Sequence, residues 1–565
     1  MAIEALPPAL LMILGGLMLP LLPKRAQDPL MIFLPLATLW AVWQIADGPM
    51  MLVRFLDMVL EPVRGDAVGR LFASVFSLMA FAGGLFALKQ PSGLERAAAL
   101  VYAGGAVGCA LAGDLISLFV FWEIMAVAST LVIWSSDQPA AAKAGMRYAL
   151  MHLFGGAVLM AGIAGHAIGG GSLDVTAMTL DSPANWLILI GVLVNAGAPP
   201  FSAWIADAYP EGSFSGSVFL SAFTTKTAVM VLIKGFPGTE LLIWIGLAMV
   251  FYGILYALLE NDMRRILSYS IVNQVGFMVC AVGIGSDMAL NGAAAHAFAH
   301  ILYKALLLMS AGSVLMMTGG KRKCTELGGL YRSMPITTVC GIIGALAISA
   351  FPFTSGFVSK SMIAQGAADQ HLVWVWALLQ AASAGVFLHA GIKFPWFVFF
   401  QKDSGLRPAD PPAPMRAAMI LLAAACIGLG VFPGALYALL PAPTDYQPYT
   451  ADHLVSQFQL LLFAGLAFFV LLPLMKRTRT LSLDFDWLYR RLLPDLLRAL
   501  APPANRLGAA LTAQALAGVK AVTGVVGRSH GPDGSFGRPW PTGRSVAVIL
   551  GLLGAYLIFA ALGHP

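Results

Sequence analysis

The chain has 565 residues, of which 59% are hydrophobic and only 11% charged, with a mean hydropathy of +0.80. A soluble globular chain carries about 25% charged residues, so this composition points to a polytopic membrane protein. The net charge of +6 suits short loops facing anionic lipid better than nucleic acid.

Apolar runs of roughly 17–25 residues give about sixteen candidate membrane helices. The first, near 8–22, lacks a basic leader and a convincing cleavage site and reads as a membrane helix, not a signal peptide. Helices near 29–46 and 68–89 complete an N-terminal region, 1–96. Five follow at about 97–113, 114–134, 144–169, 184–206 and 215–235, forming a first repeat over 97–236. Five more, near 239–259, 265–285, 288–318, 336–368 and 371–400, form a second over 237–402. Two helices near 415–440 and 455–475 close the core, 403–475.

Beyond them, 476–543 is basic and partly amphipathic, with Pro494, Pro502 and Pro503, and is expected to lie along the membrane surface. A final membrane helix occupies 544–565. LysArgLys at 321–323 and KRTR at 476–479 read as topology signals.

Two of these helices are interrupted alike. The seventh contains GAPPFSAW, with Pro199 and Pro200, and the twelfth AFPFTSGF, with Pro352 and Gly356. Proline in a helix interior removes a donor and clashes with the preceding turn. At membrane depth such a break survives only when buried in protein or beside water. Two breaks five helices apart suggest two repeats, and an odd number of helices per repeat makes them inverted, a pattern of ion transporters.

Charges inside these helices are the second signal. Glu123 is the single charge of LISLFVFWEIMAVASTLVIW, and Lys226, Lys304 and Lys360 are similarly deep. Burying them is expensive unless they are used. Lys89 and Lys234 sit near helix ends and are expected to snorkel. In HAFAHILYK, His296, His300 and Lys304 are four residues apart and so line one helical face. His389 and Lys393 repeat that spacing just before Pro395 as a secondary candidate. Burial favours the neutral form of a lysine, and histidine titrates near neutrality, so water-bridged groups of this kind can pass protons in short hops. Sodium or potassium would want several hard oxygen ligands. One deep acid supports a proton path better than a metal-cation path.

The five cysteines (Cys109, Cys280, Cys324, Cys340 and Cys426) are scattered without a CxxC, which argues against a disulfide framework, an iron–sulfur cluster or a zinc site. With no glycine-rich nucleotide loop in strand–helix context either, no metal, no cofactor and no enzymatic activity are expected. A membrane transferase would need an acidic cluster, for which Asp207 and Glu211 are the nearest pair.

Several segments together resemble a known family. They are FWEIM around Glu123, PPFSAWIADAYPE around Trp204, FTTK at Lys226, NDMRRILSYSIVNQVGFM (261–278), HAFAHILYKALLLMSAG (296–312) and FPFTSGFVSKSMI (351–363). Their order and spacing resemble the antiporter-like membrane subunits shared by respiratory complex I and the multi-subunit Mrp-type sodium/proton antiporters, most closely the Mrp D subunit. The resemblance implies an all-α polytopic membrane fold of about fourteen core helices, two inverted five-helix repeats and broken seventh and twelfth helices. It implies that the fifth-helix acid, Glu123, pairs with a seventh-helix lysine and couples neighbouring subunits. Lys226, the His296/His300/Lys304 row and Lys360 would carry protons along the midplane.

In the family that lysine lies nine residues before the tryptophan, here Trp204, which places Asn195 in its position. Asparagine cannot hold the proton, so either Lys226 becomes the partner of Glu123 or the coupling differs.

The expected function is the proton-translocating subunit of a hetero-oligomeric Mrp-type monovalent cation (Na+)/proton antiporter in the cell (inner) membrane, with other membrane subunits, protons, Na+ and lipid as partners. The alternatives are a proton-pumping membrane subunit of an NADH–quinone oxidoreductase or membrane-bound hydrogenase, and a non-transporting scaffold.

Overall fold

The structure, a computed structural model, describes residues 7–473 and 484–563. The KRTR cluster at 476–479 lies outside the described residues. The chain divides into two compact units, Met1–Asp486 and Trp487–Pro565.

The first unit opens with α1 (Pro8–Met18) and α2 (Lys24–Val42). A β-hairpin follows, β1 (Gly48–Phe55) and β2 (Met58–Gly65), which the helical reading missed. Its signal is the run PMMLVRF-LD-MVLEPVRG, two strand-like stretches around a two-residue turn with Leu56 at positive φ. Then come α3 (Ala67–Phe86), α4 (Gly93–Leu111), α5 (Leu115–Trp134), α6 (Ala141–Ile168), α7 (Pro183–Ala196) and α8 (Ala203–Ala208). The chain continues through α9 (Gly216–Leu220), α10 (Thr224–Gly235), α11 (Leu241–Leu259), α12 (Met263–Ile284) and α13 (Asp287–Met317). It ends with α14 (Pro335–Ile348), α15 (Ser355–Asp369), α16 (Val373–Val386), α17 (Ala413–Val431), α18 (Gly434–Tyr437) and α19 (Ala451–Val470). The second unit holds α20 (Leu493–His530), which runs on through Pro502 and Pro503, and α21 (Thr542–Leu562).

Among the described residues, 13 helical stretches are long and apolar enough to cross a membrane, and three apolar helices are shorter. The set differs from the sequence expectation at both ends. Lys24, Arg25 and Asp28 keep α2 outside it, whereas Leu488–His530, expected to lie along the surface, meets the same length and composition criterion.

Local sequence explains the helix starts. Asp114 caps α5, accepting from the amides of Ile116 (2.9 Å) and Ser117 (2.8 Å), and Asp262 caps α12 through Arg264 N (3.0 Å). Along α10, α12 and α13 nearly every side chain is buried, while α6, α17 and α19 show much of their surface outward. The protein centre is therefore built from the helices that carry Lys226, Gln274 and the His/Lys row.

Both sequence-read interruptions are present. After α7, Gly197 adopts a left-handed conformation (φ 76°), and the Trp204 indole donates to the carbonyl of Val194 at 3.0 Å. After α14, Ala350 and Phe353 both take positive φ, and the Lys360 ammonium donates to the Ile348 carbonyl at 2.9 Å. The Lys360 ammonium satisfies a carbonyl left over at a helix end, whereas the Trp204 indole is a second donor to Val194, whose carbonyl also accepts from the Gly197 amide at 3.2 Å. A third interruption, between α9 and α10, carries no proline or glycine and was invisible in the sequence. There Lys226 Nζ takes the Ser221 carbonyl at 2.6 Å.

Candidate functional site

The side chains of α10, α12, α13 and α15 meet in a buried polar core. Lys226, His296, His300 and Lys304 are all fully buried, and Lys360 nearly so. Lys226 Nζ also donates to Thr225 Oγ1 at 3.0 Å. Lys304 Nζ donates to the Leu267 carbonyl at 3.3 Å and to the Ser270 hydroxyl. His296 uses both ring nitrogens, meeting Ser359 Oγ at 3.0 Å and Gln274 Oε1 at 3.1 Å. Tyr303 donates to the same Gln274 oxygen at 3.0 Å, and the Gln274 amide donates to Asn273 Oδ1.

His300 stacks with His296 at 6.3 Å between ring centroids and leans on Tyr303 at 5.2 Å. Neither of its nitrogens has a hydrogen-bond partner among the described residues. It lies within electrostatic reach of Lys226, Lys304, His296 and Lys360. Lys360 Nζ sits 4.9 Å above the Phe277 ring and lines a cavity with Ser361, Gln380, His453 and Gln457. That cavity shares Ser361, Gln380, His453 and Gln457 with a neighbouring one lined further by Thr450 and Asp452.

Among the described residues no carboxylate lies within 4.0 Å of Lys226, Lys304 or Lys360. Their ammonium groups are held by carbonyls and hydroxyls, with the Phe277 ring beside Lys360. Such groups accept either protonation state without tearing an ion pair, which is what a proton carrier needs.

The other candidates separate from this core. Glu123 is half-buried on α5, and its Oε1 is buried without a partner against Gly156 of α6. The suggested Glu123–Lys226 pair does not form, because Lys226 Nζ is committed to Ser221 and Thr225. Asn195 is buried on α7 with its Oδ1 unpartnered.

His389 Nδ1 approaches the Gly385 carbonyl at 2.9 Å, one turn back in its own helix. Lys393 Nζ donates to the carbonyls of Ala257 (3.0 Å), Leu258 (2.5 Å) and Glu260 (2.6 Å), capping the C-terminus of α11. Lys234, expected to snorkel, instead pairs with Asp66 at 2.7 Å. Asp207 and Glu211 are each engaged by an arginine, Arg147 (2.6 Å) and Arg322 (2.7 Å).

Sequence reading passed over one group entirely. His152 of α6 is fully buried between the rings of Tyr148 (4.1 Å) and Trp204 (4.8 Å), with Asn195 as its polar neighbour. Its signal was present in YALMHLF, where Tyr148 and His152 share the four-residue spacing of the His/Lys row.

Comparison with known proteins gives this arrangement its context. Residues 112–385 match the family model described as NADH:quinone oxidoreductase/Mrp antiporter, TM. A probable K(+)/H(+) antiporter A/B subunit from Rhizobium meliloti is 31% identical over 359 residues, covering 59% of this chain and 36% of that protein. The D subunit of a Na(+)/H(+) antiporter from Alkalihalophilus pseudofirmus is 29% identical over 322 residues, covering 52% of this chain and 65% of its own length. The chain thus spans about a third of the first relative and just under two thirds of the second. In fold it matches a chain of the Mrp complex from Dietzia sp. DQ12-45-1b with a TM-score of 0.67 at 19% identity, over 80% of this chain and 98% of that one. The protein is a mostly helical, polytopic membrane protein whose residues 112–385 are similar to the membrane subunits shared by Mrp antiporters and NADH:quinone oxidoreductases.

Proposed function

We propose that this chain is the proton-translocating subunit of a hetero-oligomeric Mrp-type monovalent cation/proton antiporter. The observation that carries the reading is the buried, carboxylate-free row of Lys226, His300, Lys304, His296 and Lys360 across α10, α13 and α15. Protons would pass along it through water and hydroxyl bridges, with Glu123 on α5 as the group coupled to a neighbouring subunit. The cavity beside Lys360, lined by Gln380, His453 and Gln457, offers that lysine a polar approach. The breaks after α7 and α14 support a division into two inverted repeats, 97–236 and 237–402, between an N-terminal region, 1–96, and the helices of 403–475. The basic segment 476–543 and the helix of 544–565 complete the chain. Antiporter subunits of Rhizobium and Alkalihalophilus among the relatives support the antiport reading.

A second reading, a proton-pumping subunit of an NADH–quinone oxidoreductase, is supported by the shared family description. Co-purification separates the two. Small membrane subunits without redox centres indicate the antiporter, and hydrophilic iron–sulfur subunits indicate the oxidoreductase. Glu123→Gln in the assembled complex tests transport itself. Proton-coupled transport is expected to fall by about a hundredfold or more at normal abundance. Near-normal transport by that variant removes Glu123 from the mechanism.

A further inference from the structure

Buried polar atoms without partners are few in folded proteins, and each asks for an explanation. Here several gather where α5, α6 and the α7 break meet. They are Trp122 Nε1, Glu123 Oε1, both ring nitrogens of His152, Asn195 Oδ1, Ser202 Oγ and the Tyr209 hydroxyl. Their proximity is direct. A Cβ on Gly155 would stand 3.6 Å from Asn195 Oδ1, and one on the adjacent Gly156 would stand 2.1 Å from Glu123 Oε1. Tyr148, His152, Gly155 and Gly156 thus form one face of α6, with Glu123 against one part of it and Asn195 against another.

Glycine at 155 and 156 gives that face room for polar atoms from both neighbours. Asn195 cannot take up a proton, and the carboxylate of Asp207 is engaged by Arg147 at 2.6 and 2.8 Å. His152 is the one group of the cluster that can receive a proton on one nitrogen and release one from the other.

A set of hydroxyls stands near this histidine. The Tyr148 ring lies 4.1 Å from it, and the Tyr148 hydroxyl donates to Ser129 Oγ at 2.9 Å. The hydroxyls of Tyr148 and Tyr209 adjoin Tyr102 and Thr224. Tyr102 and Thr224 share a hydrogen bond of 2.5 Å between their oxygens. The next residue, Thr225, holds Lys226 Nζ at 3.0 Å. The titratable groups along the path are Glu123, Tyr102, Tyr148, Tyr209 and Lys226, with Cys109 within electrostatic reach of Glu123.

We infer that His152 is a proton-carrying residue, linking Glu123 to Lys226 through bridging water and the hydroxyls of Tyr148, Tyr102, Thr224 and Thr225, and so replacing the lysine that Asn195 displaces. In the transfer Glu123 gives up its carboxyl proton and becomes a carboxylate, and the neutral ring gains that proton on one nitrogen and loses one from the other. Each hydroxyl accepts one proton and donates its own, and Lys226 ends protonated. The ring and the hydroxyls then reorient to their starting state. The inference rests on the proton-translocating reading above.

The test uses the complex purified with the full chain and reconstituted into vesicles carrying an entrapped pH-sensitive dye. His152→Phe keeps the aromatic contacts with Tyr148 and Trp204 but removes both nitrogens. Its proton transport is expected to fall about tenfold or more, and Asn195→Lys added to it to restore part of the loss. Tyr148→Phe, which deletes one oxygen, is expected to slow transport by about threefold or more, and it decides the matter if His152→Phe does not assemble. Lys304→Ala runs alongside. If it abolishes transport while His152→Phe and Tyr148→Phe run at the unaltered rate, the route is overturned and the proton-translocating reading stands. If Lys304→Ala is also without effect, that reading fails first. A loss in His152→Phe that Asn195→Lys leaves unchanged, at normal assembly, assigns His152 to packing and overturns the inference.

Discussion

The two broken helices finish the same structural problem with different chemistry. Each break exposes carbonyls that lipid could not satisfy. After α7 the donor is neutral, the Trp204 indole on Val194. After α14 it is an ammonium, Lys360 on Ile348. Around the second break, His296, Gln274, Tyr303, Asn273 and Ser359 are joined by direct hydrogen bonds. Around the first, Glu123, His152 and Asn195 keep unpartnered atoms and the connections run through hydroxyls. A break can therefore serve as plain architecture or as a seat for a charge, and the residue that caps the freed carbonyl tells the two apart.

The comparison breaks most visibly at the His/Lys row. Lys304→Ala removes the ammonium on the Ser270 hydroxyl and the Leu267 carbonyl, and transport is expected to fall about a hundredfold or more, whereas His296→Ala, with Gln274 and Tyr303 beside it, falls less. Vesicle proton uptake measures both. Equal, small effects would make the row a structural face.

The capping donors sharpen the contrast. Lys360→Met should lose both transport and stability, the stability by about 1–3 kcal/mol for the orphaned Ile348 carbonyl. Trp204→Phe should lose less stability, because the Val194 carbonyl keeps its bond from the Gly197 amide, and should keep most of its transport. Thermal unfolding in detergent, set against uptake, checks the pair. Equal transport losses would erase the distinction.

Gly156→Ala is a smaller test. Its Cβ would meet Glu123 Oε1 at 2.1 Å and must push the carboxylate aside. Transport is expected to drop by about threefold to tenfold, with stability lowered by about 1–3 kcal/mol. An unchanged rate would mean that the position of Glu123 does not matter.

The smallest effect lies outside the membrane helices. Hydrogen bonds from Arg407 and the Gly405 amide, with Arg332 nearby, hold the Asp403 carboxyl below the usual carboxylate range. A folded value below the unfolded one contributes stability that is full above about pH 4 and fades as the pH falls through the folded value. The group is exposed, so Asp403→Asn should leave the unfolding temperature at pH 7 almost unchanged. A large shift there would contradict the assignment.

The sequence made the second break and its row legible because charge is rare in membrane helices and proline interrupts the helix ladder, so both stand out by spacing. Pro199, Pro200, Pro352 and Gly356 marked the interruptions, and His296, His300 and Lys304 marked a face. The α9–α10 interruption carried no such mark, since the bonds there, from the Ser221 hydroxyl to Val218 and from Lys226 to the Ser221 carbonyl, show only in three dimensions. His152 was passed over because one histidine amid apolar residues resembles packing until its neighbours are known. Lys393 read as a proton group by spacing, and its three bonds to the carbonyls at the end of α11 left no mark in the sequence. Pairwise chemistry across distant segments, such as Glu123 with Gly156 or Lys226 with Ser221, left no local trace for the sequence to show.

Proton uptake into vesicles by the purified complex, with unaltered chain and with Lys304→Ala at equal assembly, tests the central claim most directly. The account predicts a rate lost by about a hundredfold or more in the variant, with the complex intact. Uptake at the unaltered rate would contradict a proton path through the buried row.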